Sequence, residues 1–234
     1  MTPSHSRLAT AVAASRSWYD DVMALHGAPV TVTDEIWVAD GWVPPFHSTV
    51  LAIRPAADAD AAAEAISARQ RGGLEVGGIA DCFADLDLAG RGFETLFEAR
   101  WIHRAAPEPG FADGWSELAA PRDLRRWSEL HDYVGVLPDT VLGHPRFKIL
   151  ARSAGGSLIG GAVAHQPGNG DVVGLSNVWE RPGTDPDWPG LLATVGRLHP
   201  GRALVGYERD ADLARALAAG FAVVGTHRVW VRAS

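Results

Sequence analysis

The chain has one cysteine among 234 residues, Cys82. A single thiol excludes an internal disulfide and any metal site built from several cysteines, and it is typical of a reducing compartment. Long apolar runs are also missing: the small-residue run at residues 8–14 is followed by Arg16 and is too short to span a bilayer. These absences predict a cytoplasmic protein without a membrane partner.

Several motifs of known chemistry are missing as well. No G-x-G-x-x-G follows a predicted strand, and there is neither a Walker loop nor a G-x-S-x-G turn. The nine histidines form no H-x-H or H-E-x-x-H pattern, so we expect no metal. His103, His165 and His227 fall in predicted strands, and we interpret them as satisfied core or edge residues.

The charge of the chain argues against a nucleic-acid partner. Its net charge is −7, and its one short basic cluster, at residues 122–126, is interleaved with acidic residues. Binding to phosphates needs clustered Lys and Arg side chains. With 47% hydrophobic and 21% charged residues, the chain is long enough to bury a core of its own.

The first half of the sequence alternates helical and extended patterns. Residues 7–26 carry apolar side chains at helical spacing, and Asp58 precedes an Ala-rich helix that Gly72 ends. Residues 30–38, with an Asp40-Gly41 turn, predict a hairpin, and a long strand follows Gly92. The Pro- and Gly-rich residues 107–114 predict a linker between domains at 1–106 and 115–234.

The second half predicts an α/β fold. A helix that begins at Pro121 has Leu124, Trp127 and Val134 facing inward. Three strands separated by glycines follow at 146–153, 157–166 and 171–180, and we expect them to pair as an antiparallel meander. Helix, strand, helix and strand complete the chain from 188 to 232, so that helices should cover both faces of a central sheet.

The two closing strands look alike. Gly92-Phe93 and Gly220-Phe221 are separated by 128 residues (220 − 92), and so are Arg100 and Arg228 (228 − 100). We interpret this as two related halves in tandem, with the first half truncated. The alternative is a coincidence of aromatic strand residues and surface arginines.

This order of elements, with the A-x-x-x-G-F junction at residues 216–221, resembles the GCN5-related N-acetyltransferase (GNAT) superfamily. The resemblance implies a mixed sheet in which two strands splay apart and acetyl-CoA, or another acyl-CoA, enters the gap. It also implies transfer of the acyl group to an amine of a small molecule or protein. A homodimer is a further possibility.

The resemblance also implies roles for particular residues. Backbone N–H groups at Ser176, Asn177 and Val178 would polarise the thioester carbonyl, and Arg181 would contact a phosphate. Glu180 or Glu208 would take the proton of the amine, and Tyr207 would protonate the leaving thiolate. Each has a plainer interpretation: a solvated Glu-Arg strand end for the two glutamates, a packing residue for the tyrosine, and a β-bulge for the asparagine.

The sequence departs from the GNAT pattern at two places. The Gly-rich pyrophosphate loop is replaced by residues 180–188, where Asp187 before Pro189 is typical of a helix N-cap. Ala216 stands where the family often has its tyrosine. Three alternatives therefore remain open: a non-catalytic binder of a metabolite or partner, another reaction such as decarboxylation, and a scaffold that dimerises through a sheet edge.

Overall fold

The computed structural model of the protein describes residues 3–233, which form five α-helices and eleven strands. The helices are α1 (Pro3–Leu25), α2 (Ala59–Arg71), α3 (Pro121–Leu130), α4 (Trp188–Leu198) and α5 (Asp210–Ala218). The strands are β1 (Val30–Val32), β2 (Ile36–Ala39), β3 (Val50–Ala52), β4 (Ile79–Asp81), β5 (Phe93–Arg104), β6 (Trp115–Glu117), β7 (Phe147–Ala154), β8 (Ser157–His165), β9 (Val172–Glu180), β10 (Ala203–Glu208) and β11 (Ala222–Arg232).

All eleven strands belong to one mixed sheet, in the order β1-β2-β3-β4-β11-β5-β10-β9-β8-β7-β6. The β3–β4 and β9–β10 pairs are parallel, and the others are antiparallel. Helices α1 and α3 pack on one face, and α2, α4 and α5 on the other. The expected α/β architecture, a mixed central sheet flanked by helices, is confirmed.

The centre of the sheet interlocks the two halves of the chain. Strand β11, from the second half, lies between β4 and β5 of the first half. Strand β5 in turn lies between β11 and β10. Neither half can leave the sheet without breaking the other half's hydrogen bonds.

The pairing of β5 with β11 has a local twofold symmetry. Ala99 lies opposite His227 at the middle of the pair, 128 residues away (227 − 99). Each strand has one bulge, at Leu96 in β5 and at Val224 in β11, and these two residues are also 128 apart (224 − 96). This local symmetry is consistent with two related halves, and the tandem repeat itself stays a prediction.

Other local predictions have mixed outcomes. The first hairpin turns at residues 33–35, where the Thr33 hydroxyl accepts the N–H of Ile36, and not at Asp40-Gly41 as predicted. Helix α3 ends at Leu130, so Val134 is 63% exposed and not inward-facing. Residues 107–114 contain no helix or strand, and their role as a domain boundary stays a prediction.

Within residues 3–233, no helix has the length and apolar character to cross a membrane.

Because the strands interlock, we expect both halves to unfold in one transition. Replacing buried Trp37 in the first half or Trp127 in the second by alanine should lower the free energy of unfolding by about 3–5 kcal/mol. Both variants should shift the same single transition in urea, followed by circular dichroism. The control is Phe111→Ala, at a residue 91% exposed. Two separable transitions would contradict the interlocked fold.

Candidate functional site

A cavity lies where two parallel strands separate. Strands β9 and β10 pair only as far as Gly174 and Val205, and the residues that follow diverge. A cavity of about 270 Å³ occupies this gap, and small residues of α1, including Ala11 and Ala14, form one of its walls. Beyond Gly174, no residue of β9 is in register with β10.

The wall of the cavity is aromatic and almost free of charge. None of the described residues that line it is Lys or Arg, and Glu208 is the acidic one. Burial lowers the pKa of His47 to about 4, and its ring bonds both the Trp18 indole and the Pro45 carbonyl. The six Trp, Tyr and Phe residues of the wall are Trp18, Tyr19, Phe46, Trp101, Tyr133 and Tyr207.

Glu208 ends β10 at the gap. Its carboxylate makes no hydrogen bond or ion pair within residues 3–233, although the residue is half-buried. Burial, with a smaller contribution from Asp212, raises the pKa of Glu208 to about 7. A carboxyl group with this pKa can exchange a proton at neutral pH.

The first half has an equivalent carboxylate with different surroundings. Glu208 lies opposite Arg100 in the sheet, and Asp81 lies opposite Arg228, the arginine related to Arg100 by the 128-residue repeat. Asp81 is fully buried and accepts three N–H groups, from Leu86 (3.0 Å) and Asp85 (3.3 Å) and from the Trp230 indole (3.5 Å). The carboxylate of the first half is satisfied, whereas that of the second half is free to meet a ligand.

Asn177 forms a bulge at the edge of the cavity. Its φ of 52° is left-handed, and the register of β9 against β8 shifts around it. Its side-chain oxygen lies 3.1 Å from Nε2 of His131, and its amide donates to the Ser176 hydroxyl at 3.0 Å. The bulge predicted for this strand is present and turns the amide toward the α3 face.

Tyr207 lies between two rings at the opening of the cavity. It contacts Trp101 and His227, with ring centres 5.3 Å and 4.7 Å away, and it is 39% exposed. It also lines a larger open groove of about 880 Å³ that adjoins the cavity. Its hydroxyl has no hydrogen-bond partner in the described part of the chain.

The structure brings five of the seven predicted site residues together. Ser176, Asn177, Val178, Tyr207 and Glu208 all line the cavity. The other two, Glu180 and Arg181, lie outside the lining of this cavity.

Glu180 and Arg181 lie beyond the cavity, toward β8 and β6. Glu180 forms an ion pair with Arg152 of β7 at 3.3 Å, and burial raises its pKa. Arg181 is exposed beside the loop that follows β6. Their predicted roles as base and phosphate ligand gain no support from this placement.

Sequence reasoning missed much of the cavity wall. Trp18 of α1, Phe46 of a loop and His131 and Tyr133 after α3 have no local signal that points to a site. His165 and His227 are not fully satisfied core residues as interpreted, since the Nδ1 atom of each is buried without a hydrogen-bond partner in the described part of the chain.

Sequence comparison gives no relative: no family model and no curated protein matches the chain. Solved structures do match nearly its whole length. A GCN5-related N-acetyltransferase from Kribbella flavida superposes with a TM-score of 0.66 at 14% identity, over 95% of this chain and 96% of that one. The chain has the GNAT fold.

Two further structures are similar to this GNAT-fold chain. A functionally unknown conserved protein from Staphylococcus epidermidis gives a TM-score of 0.63 at 9% identity, covering 88% of this chain and 95% of that one. A GCN5-related N-acetyltransferase from Sphaerobacter thermophilus gives 0.53 at 10% identity, covering 97% and 91%. At these identities the likeness concerns the fold alone.

The resemblance to the GNAT superfamily predicted an acyl-CoA, whose pyrophosphate would need free N–H groups at the start of α4. The Asp187 carboxylate accepts the N–H of Gly190 at 3.0 Å and the Trp115 indole N–H at 2.9 Å. Pro189 has no N–H to offer. A carboxylate already occupies the positive end of α4, so the residues do not fit a pyrophosphate there, and the N-cap interpretation of Asp187 is confirmed.

The gap is also filled on the α4 face. Val178, Trp188 and Leu213 pack against the apolar cluster between α4, α5 and the sheet. Within residues 3–233, no group of three or more His, Cys, Asp or Glu side chains could hold a metal ion.

Burial raises the pKa of both Glu208 and Asp81, but only Asp81 has N–H donors that an amide side chain would meet. Because the folded-state pKa of Glu208 is raised, ionisation destabilises the fold as pH rises from about 4.5 to about 7. Glu208→Gln should therefore raise the free energy of unfolding by on the order of 1–3 kcal/mol near pH 8 and leave it unchanged near pH 4.

The matched control is Asp81→Asn. In this variant an amide replaces the carboxylate that accepts three N–H groups. The free energy of unfolding should therefore fall by about 1–3 kcal/mol. Urea unfolding at both pH values measures the pair, and a loss of stability in Glu208→Gln near pH 8 would contradict the assignment.

Proposed function

We propose that the protein binds a small organic amine in the cavity between β9 and β10 and that Glu208 accepts the proton which the amine loses before acyl transfer. The observation that carries this proposal is the contrast between the two equivalent carboxylates. Asp81 has three donors, whereas Glu208 has none and faces a cavity. The shared fold with GCN5-related N-acetyltransferases supports acyl transfer as the reaction class.

The lining of the cavity favours a cation. Ammonium groups are attracted to the faces of Trp, Tyr and Phe rings, which make up much of the wall. Glu208 supplies a negative charge, and no Lys or Arg among the described lining residues opposes a cation. An anionic ligand would meet the Glu208 carboxylate without a compensating charge.

Glu208 is suited to the proton transfer. With a pKa of about 7, its ionised form is present at neutral pH and can take a proton from a bound ammonium group. The resulting neutral amine is the nucleophile that acylation requires. The backbone groups of Ser176, Asn177 and Val178 border the same gap, which supports their predicted role as donors to a carbonyl oxygen.

An amine probe tests the proposal. We expect para-ethylbenzylamine to bind the wild-type protein with an affinity that rises as the pH passes about 7. Glu208→Gln should weaken binding at least about tenfold and remove this pH dependence, because a charge-assisted hydrogen bond is lost. Isothermal titration measures both effects.

Two controls accompany this titration. Glu180→Gln removes a carboxylate that pairs with Arg152 outside the cavity, so it should leave the affinity unchanged. The neutral para-ethylbenzyl alcohol should bind weakly to all three proteins. Equal binding of the amine to wild type and Glu208→Gln would rule the proposal out.

A second candidate function is amine binding without CoA-dependent turnover. The occupied start of α4 favours it, because Asp187 leaves no free helix terminus for a pyrophosphate. Under this second function, millimolar acetyl-CoA or free CoA should leave the unfolding temperature unchanged. A ligand at a hundred times its Kd would add roughly 2.7 kcal/mol, a shift of several degrees.

Asp187→Ser sharpens the comparison. Serine keeps an N-cap oxygen but removes the negative charge, so any CoA-dependent stabilisation should appear in this variant first. A clear shift in the wild type would show that the donor binds by another route and would favour acyl transfer over simple binding.

A further inference from the structure

A buried ionic chain crosses from α1 to the cavity. Asp21 of α1 is 4% exposed and forms an ion pair with Arg146, which precedes β7. The same carboxylate lies 2.7 Å from Nε2 of His165, the last residue of β8. His165 is 1% exposed and lines the cavity. Because Asp21 is deeply buried, its carboxylate holds the side chains of Arg146 and His165 in fixed positions.

The contact with Asp21 places an N–H group on Nε2 of His165. A carboxylate accepts, so Nε2 carries the N–H, and Nδ1 of a neutral ring is left as an acceptor. This Nδ1 is buried and has no hydrogen-bond partner within residues 3–233. An unpaired buried acceptor is costly, and most such groups in folded proteins are paired.

His165 and Glu208 both line the cavity, at the ends of β8 and β10. His165 lies opposite Gly174 on β9, and Gly174 lies opposite Val205 on β10, three residues before Glu208. With strands about 4.8 Å apart and a rise of about 3.3 Å per residue, the two Cα atoms are on the order of 14 Å apart. The aromatic residues Trp18 and Trp101 line the space between these strands and α1.

We infer that His165 recognises a hydrogen-bond donor at the end of the ligand distant from its amine. The ligand class is a small amine whose far end carries a hydroxyl or N–H group, joined by an apolar or aromatic spacer. The ammonium group lies at Glu208, which rests on the proposed function, and the far donor bonds Nδ1 of His165. Asp21 and Arg146 act as positioning residues that hold the ring in this tautomer.

A matched pair of probes tests the inference. Para-(hydroxymethyl)benzylamine carries a hydroxyl where para-ethylbenzylamine carries a methyl group of similar size. We expect the hydroxyl compound to bind the wild-type protein about fivefold more tightly, as one added hydrogen bond predicts. Titration calorimetry gives both affinities, and equal affinities would overturn the inference.

A variant assigns the difference to His165. In His165→Gln the side-chain amide can still donate to Asp21 but offers no acceptor at the position of Nδ1. We expect the advantage of the hydroxyl compound to vanish while the ethyl compound binds as before. His103→Gln is the control, since His103 lies on β5 outside the cavity wall. An advantage that survives in His165→Gln would refute the assignment.

A second measurement does not depend on the variant folding. In wild-type protein labelled with nitrogen-15 histidine, the Nδ1 signal of His165 should be that of an unprotonated nitrogen and should shift with the hydroxyl probe alone. Failure of both amines to bind would overturn the proposed function and this inference together. If the ethyl compound binds through Glu208 and the hydroxyl adds nothing, only the role of His165 fails.

Discussion

The antiparallel pair of β5 and β11 is the constraint on which the rest of the structure depends. Strand β11 of the second half lies between two strands of the first half, and β5 of the first half lies between two strands of the second. Their register is symmetric about Ala99 and His227. Because β10 and β4 pair with the outer edges of this couple, the positions of Glu208 and Asp81 follow from it. Each carboxylate lies at the end of a strand and opposite an arginine of the central pair.

The same topology surrounds the Asp81 carboxylate with hydrogen-bond donors in the first half and leaves the Glu208 carboxylate beside a cavity in the second. Trp230, whose indole reaches Asp81, corresponds to Ile102 in the repeat (230 − 102 = 128), and isoleucine has no N–H to offer Glu208. After β4 the chain loops back, so that two backbone N–H groups bond Asp81. After β10 it enters α5 instead, and the nearby Asp212 adds a negative charge. The free carboxylate is thus a consequence of two local differences within one repeat.

Features that depend on short stretches of sequence could be predicted. Asp58 and Asp187 cap their helices because Asp accepts the first free N–H groups. A few residues of sequence predict both N-caps. The Gly-Phe repeat located the two central strands, because it too is a short local pattern. Their exchange between the halves could not be predicted, because it depends on which strand edges meet in the folded sheet.

The candidate site was predictable only in part. Glu180 and Glu208 have the same local sequence, Glu followed by Arg at a strand end, so the sequence cannot rank them. What separates them is tertiary: Arg152 of a neighbouring strand pairs with Glu180, whereas Glu208 borders a gap. The contact between His165 and Asp21 joins residues 144 positions apart, and no local pattern could have indicated it.

The interlocked strands also bring residues of both halves to the opening of the cavity. The groove of about 880 Å³ that adjoins it is lined by residues of both halves, among them Phe46 and Phe97 from the first and Tyr133 and Arg209 from the second. On the opposite face, Val178, Trp188 and Leu213 fill the space beside the splayed strands. The groove therefore opens between the two halves, and residues of the first half form one of its walls. Phe46, 70% exposed and stacked on Tyr133, stands where the groove and the cavity meet, and its left-handed φ of 64° holds it there at a cost in backbone strain.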